Sequence, residues 1–406
     1  MKRPWRLRAA ALAGAGISLL SALAAGAGPG ATASALLPAR VEEVARAVER
    51  VRGRKFEKAV PASEIDGVEL RRVLKAKVFE GFPASPENTM ATLVALGFFD
   101  ETPNLIDKLI DFYASQVIAF YDPEPRRFFL VRGAAEHLPD AGAAGELGGP
   151  MAEKMIFAHE LTHALQDESL RLDRRIKALK ENGDRALALE SLLEGEATLV
   201  MVRVTLAELP GGESEEVEES LAPLLSAGAL EKANLPKDLP DYFAEQLFFP
   251  YVEGTAYVRR LVKAGGWPAV DRLWKSPPAS SSAILHDKAT FEPAEHLLSD
   301  AEEKSGPEGA RRLYSDTVGE WGVRFLLRKA IPKPDADAVA AGWRGDRIAF
   351  FGSPRAISYR WRIRFESGPA AERFETAWRT GRKRNERVAR TGSDVTILSA
   401  VSARAS

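Results

Sequence analysis

The chain contains no cysteine. Disulfides, thiolate metal sites and a cysteine nucleophile are therefore all excluded. Surplus charge is missing as well: 56 Lys and Arg against 57 Asp and Glu leave a net charge of −1. That balance argues against a general binder of nucleic acid or another polyanion. Histidine is scarce, with five in 406 residues. Long apolar runs are scarce too. Only residues 9–27, uncharged and rich in Ala, Leu and Gly, approach a membrane-spanning length. This run follows Lys2, Arg3, Arg6 and Arg8 and precedes Ala31-Thr32-Ala33 and Ala33-Ser34-Ala35, two A-x-A cleavage sites. Residues 1–35 are therefore expected to be a signal peptide, leaving a secreted or periplasmic protein. Membrane contact is expected only if that leader stays uncleaved as an anchor.

Against so His-poor a background, His159-Glu160-Leu161-Thr162-His163 is conspicuous. The segment has the composition of a helix. Histidines four apart then share one face, about 6 Å apart along the axis. Both imidazoles can reach a single Zn²⁺ at about 2.0–2.1 Å. Glu160 projects beside them, where it can take a proton from a water that the ion polarises and pass it to a leaving amine.

Along the chain, residues 37 to about 77 read as helical, with Val41, Val44, Ala45 and Val48 at helical spacing. Helices are expected near 87–96 and 105–115, the second capped by Asn104. Residues 116–121 and 127–131 are β-branched and aromatic around a Pro-containing turn, and predict a hairpin. A Gly/Ala loop at 142–150 leads into the motif helix at about 151–169, and a further helix at 184–209 is apolar on nearly all sides. An acid-rich loop at 210–220 and helices at 241–264, 268–275 and 318–329 follow. Strands at 346–351, 357–365 and 395–401, with a helix at 370–379, predict a small terminal α+β unit. The fold class expected is α+β, mainly helical. The divisions expected are a helical region at 36–115, a catalytic core at 116–330 and the α+β unit at 331–406.

A catalytic zinc takes a third protein ligand and keeps one position open. The helix at 184–209 carries Glu190, Glu194 and Glu196 on a background with almost no polar face. Buried acids need a partner, and a metal is one. Glu194 is the first choice, because Gly195 follows it in mid-helix, where Gly costs about 1 kcal/mol relative to Ala. Close packing against the motif helix would explain that glycine. Glu190, one turn earlier, is the alternative ligand. Pairing of these acids with Arg185 and Arg203 is the bland one.

H-E-x-x-H followed by Glu194-Gly195-Glu196-Ala197 resembles the gluzincin branch of the zinc metallopeptidases. The resemblance implies a zincin-like core, one Zn²⁺ per chain on His159, His163 and Glu194, and a protein or peptide substrate. Pro250-Tyr251-Val252-Glu253-Gly254 is similar to the Y-x-x-G segment of gluzincin aminopeptidases, whose Tyr hydroxyl binds the oxyanion. Carried over, that role falls to Tyr251; an ordinary half-buried aromatic is the other reading. Phe120-Tyr121-Asp122-Pro123, the motif helix through Gln166-Asp167, Gly265-Gly266-Trp267 and Ile284-Leu285-His286 resemble secreted bacterial zincins of unassigned substrate. The G-x-M-E-N strand that holds a substrate amino terminus in the aminopeptidases is missing upstream of His159, and residues 117–122 stand in its place. That departure favours an endopeptidase whose edge strand pairs with an extended substrate.

His286 is a second candidate for contact with the transition state, against the reading that it is a structural histidine. His137 and His296 have no supporting context. Three functions compete. The first is a secreted zinc endopeptidase with Glu160 as base. The second is a non-catalytic zincin-like binding module of the cell envelope, against which an intact Glu160 argues. The third is a metalloenzyme for a non-peptide amide or ester.

Overall fold

A computed structural model describes residues 33–133, 149–209, 214, 216, 218, 236–288, 290–381 and 385–403. Nearly all of the expected leader, the loop at 142–148, His137 and most of the acid-rich loop lie outside them. The fold is α+β and mostly helical, with two small sheets.

Helix α1 (Ala33–Arg52) buries Leu37, Val41, Val44 and Val48 along one stripe. The helix expected to continue to about residue 77 stops here. Gly53 takes φ +68°, Pro61 brings no amide hydrogen, and strand β1 (Ala62–Ile65) follows. Asp66 then caps α2 (Gly67–Glu80), accepting from the amides of Val68 and Glu69. Helices α3 (Pro86–Leu96) and α4 (Leu105–Gln116) lie where the spacing puts them. Asn104 precedes α4 in the left-handed region at φ 55°, and its side chain makes no cap bond. Strands β2 (Ala119–Asp122) and β3 (Arg127–Val131) form the expected antiparallel hairpin. β1 pairs in parallel with β3, so the hairpin belongs to a three-stranded sheet of order β1-β3-β2.

The centre of the molecule is helical. Helix α5 (Gly149–Leu170) carries the histidine motif and is buried on almost every side from Met155 to Asp167. After the short α6 (Leu172–Ala178) comes α7 (Gly183–Leu206), which is also buried nearly all round. It packs on α5 on one side and on α8 (Asp241–Gly265) on the other. The α7–α8 contact explains Gly195. A Cβ there would stand 2.2 Å from the Gly254 carbonyl oxygen, and one on Gly254 would stand 2.2 Å from that of Ser191. The close approach foreseen for Gly195 therefore exists, but against α8 rather than the motif helix. Helices α9 (Trp267–Lys275), α10 (Ser281–Leu285) and α11 (Asp300–Lys304) complete this part.

Strand β4 (Arg312–Asp316), helices α12 (Gly319–Leu327) and α13 (Lys333–Ala340), and strands β5 (Trp343–Ser353) and β6 (Ala356–Phe365) come next. Helix α14 (Gly368–Thr380) and strands β7 (Glu386–Thr391) and β8 (Asp394–Ala403) close the chain. The five strands form one sheet, β4-β5-β6-β8-β7, antiparallel throughout. β4 joins it from before residue 331, so the sheet reaches back across the expected division. Phe374 and Trp378 of α14 pack on Trp361. Asp346 ties the sheet to α12: its carboxylate accepts from the Val318 and Gly319 amides and from the Trp343 and Trp361 indoles.

Asp184, at the start of α7, is buried at the junction between the sheet unit and the helices. Its Oδ1 accepts from the Ser281 amide at 3.0 Å, and its Oδ2 has no hydrogen-bond partner among the described residues. Burial pushes its pKa from 3.8 up to about 6. The folded chain thus keeps a proton that the unfolded chain has already released. This makes stability fall as pH rises from about 4 to about 6, by roughly 3 kcal/mol, and level off above. Asp184→Asn removes this contribution. In urea unfolding, the variant should gain on the wild type across that window, and a constant difference between them would refute the assignment.

Candidate metal centre

Helix α5 points His159 and His163 the same way, one turn apart, and α7 brings Glu194 to meet them. His159 Nε2 stands 3.1 Å from His163 Nε2 and 3.0 Å from Glu194 Oε2, and His163 Nε2 lies 3.5 Å from the same oxygen. Four ligands at about 2.0–2.1 Å from one tetrahedral ion stand about 3.3–3.4 Å apart. The three atoms therefore form one face of such a tetrahedron with little rearrangement. Both histidines are buried, and the Glu194 side chain keeps 12% of its surface exposed. Among the described residues this is the only group of three His, Asp or Glu side chains with ligand atoms so placed.

The three side chains shift one another's ionisation. Burial disfavours a charged ring at His163, but the Glu194 and Glu160 carboxylates and the Gln166 hydrogen bond together outweigh it and push the pKa up to about 9. His159, fully enclosed, is lowered by burial first and by the neighbouring His163 second. Burial works against the charge on Glu194 as well, yet the two imidazoles hold its pKa well below the usual carboxylate range. A metal ion that takes both nitrogens displaces the His163 proton.

The three glutamates of α7 separate cleanly. Glu194 joins the histidines. Glu190, one turn earlier, has its pKa pushed up by burial and by the Glu194 charge. Glu196 is fully buried on another side, paired with Arg52 and accepting from Gln166 Nε2 at 3.0 Å and the Trp274 indole at 2.8 Å. Neither Arg185 nor Arg203 engages these acids. Arg185 meets Glu295, and Arg203 meets Glu218.

Glu160 lies beside the pair, buried, with Oε2 accepting from the Tyr121 amide of β2 at 2.9 Å. The Tyr121 hydroxyl donates to Asp167 Oδ2 at 3.0 Å, and the Leu172 amide donates to Asp167 Oδ1 at 2.7 Å. The edge strand is thus fastened to the motif helix through both the backbone amide and the hydroxyl of Tyr121. Tyr251 is 7% exposed, with its ring centroid 6.2 Å from that of His159. The glycine contact one turn further along α8 sets this placement.

His286 goes elsewhere. Its Nε2 meets the buried Glu320 carboxylate at 2.8 Å, and Arg324 completes that group. His286 is thus part of the α10–α12 contact. His296 is exposed on a loop. Three residues of the surroundings were not singled out from sequence for any role. Gln166 lies three positions after His163, on the same helix face, and that spacing could have flagged it. Tyr121 stood in the segment at 120–123 without a role of its own, and Arg52 carried no local signal.

A family described as "Domain of unknown function (DUF8575)" matches residues 310–405. The match covers β4 to β8 and none of the residues around His159. No curated protein and no solved structure matches the chain. No helix among the described residues is long and apolar enough to cross a membrane.

Proposed function

We propose that the protein is a zinc-dependent peptidase of gluzincin type. The observation that carries the reading is the triangle of His159, His163 and Glu194 ligand atoms, 3.0–3.5 Å on a side. Nitrogen and carboxylate donors in that set suit Zn²⁺. Zinc, when bound, polarises a carbonyl and acidifies a water. The remaining chemistry belongs to the chain. Glu160, oriented by the Tyr121 amide, accepts the water's proton and returns it to the departing amine. The Tyr251 hydroxyl donates to the oxygen on which charge develops. An endopeptidase is favoured over an aminopeptidase. The only acid on β2, Asp122, is held by Lys77 at 3.0 Å, which leaves no carboxylate of that strand to grip a substrate amino terminus.

Metal analysis tests the reading. The purified protein should hold one Zn²⁺ per chain, and His163→Ala should hold far less. Equal zinc in the two proteins would sink the proposal. Zinc binding without hydrolysis of casein or mixed peptides would favour the binding module instead.

Export belongs to the same proposal. The basic start, the uncharged run and the A-x-A sites support cleavage near Ala33 or Ala35. Amino-terminal sequencing of the product should find the new end there, and an intact Met1 in a membrane fraction would contradict it.

A further inference from the structure

We infer that Gln166, locked in place by the buried Glu196–Arg52 pair, is a positioning residue for His163, and that helix α1 is thereby a fixed component of the metal centre. The inference rests on the metal reading above. It begins from the direction of one amide. Gln166 Nε2 lies 3.0 Å from the Leu193 carbonyl oxygen and 3.0 Å from Glu196 Oε2. Both are acceptors only, so the nitrogen must face them. The amide oxygen must then face His163, whose Nδ1 is 2.9 Å away. An amide oxygen accepts and cannot donate, so Nδ1 carries the hydrogen. In the neutral ring, Nε2 is left with its lone pair directed at His159 and Glu194. That is the tautomer a metal requires.

Glu196 and the Leu193 carbonyl together hold the amide this way, and Glu196 is itself held by Arg52. Its side chain is 0% exposed, as is that of Arg52. Burying one charge without the other is strongly unfavourable. The Arg52 guanidinium lies 4.5 Å from the Trp267 ring centroid and 4.9 Å from that of Trp274, and it also reaches Asp271 at 2.6 Å. The aromatic rings and the second acid hold the cation where Glu196 needs it. The relay thus runs from the last residue of α1 through Glu196 and Gln166 to a ligand nitrogen. His159 has no such support, since its Nδ1 is without a hydrogen-bond partner among the described residues. Of the two rings, only that of His163 has a partner on its Nδ1 among the described residues. An amino-terminal segment that was a removable propeptide could not include Arg52.

The test measures Zn²⁺ affinity by competition with a chromophoric chelator, on the full chain. Gln166→Met keeps length and volume but loses the acceptor, and should bind zinc roughly 10–100-fold more weakly. Gln166→Glu keeps an acceptor towards His163 and can share one proton with Glu196, so it should recover most of that loss. A merely structural role predicts the reverse order, with Met tolerated and a second buried acid damaging. Met at wild-type affinity overturns the inference while leaving the peptidase reading intact, whereas a wild type that binds no zinc overturns both. If the Met variant does not fold, the wild type still decides. In cadmium-substituted protein with isotope-labelled histidine, NMR coupling should place the metal on His163 Nε2 and the hydrogen on Nδ1. Metal on Nδ1 would overturn the inference.

Discussion

Glu160→Gln should keep its zinc and lose peptide hydrolysis by roughly 10²–10⁴-fold, the range for a positioned general base. The structure makes this a clean substitution. Glu160 Oε2 accepts from the Tyr121 amide at 2.9 Å, and the carbonyl oxygen of a Gln side chain can accept the same bond. The shape is kept, and the ligand residues are untouched. An amide cannot take up the proton of a water, so the chemical step alone suffers. Metal analysis and a casein or mixed-peptide assay read the two effects separately. Activity that survives in the variant would show that another group is the base. An inactive wild type with zinc in place would leave a protein that binds without cutting.

Tyr251→Phe should lower kcat and kcat/KM together, by roughly 10²–10³-fold, as expected for loss of one donor to a developing oxyanion. The ring is packed 6.2 Å from His159 by centroid, and Phe preserves that packing. α8 is held on α7 by the Gly195–Gly254 approach, which the substitution does not touch. The difference between the two side chains is then the hydroxyl and nothing else. A rise in KM with kcat unchanged would make Tyr251 a ground-state contact, and unchanged kinetics would return it to the core.

What could be read from sequence followed from periodicity and from unusual residues. The helix pattern at 151–169 put His159 and His163 on one face, and they are on one face in the fold. Gly195, out of place in mid-helix, singled out Glu194, which meets the histidines, although the glycine's partner is Gly254 and not the motif helix. β1 went unseen because its four residues lie between two charged helices and gain their ladder from β3, far along the chain. β4 and β7 are the outer strands of the second sheet. β7 is largely solvated on both faces, so its residues show no alternation to detect. Arg52 reads as one more charge at the end of an amphipathic helix. Its buried partner lies 144 positions away, and no local pattern encodes so distant a pairing. His286 was marked by its neighbours in sequence, and its pairing with Glu320 and Arg324, more than thirty residues on, could not be read there.

The order of assembly follows from those separations. Arg52 must find Glu196, 144 residues on, and Asp271, 219 residues on. Loops of that length close late, because their entropy is lost before the contact repays it. Helix α1, the first among the described residues, is therefore expected to dock late, onto helices that already exist. On the proposed zinc reading, tight metal binding then arrives only once α1 has docked. A half-folded copy would carry the histidine motif without the Arg52–Glu196–Gln166 framework around it.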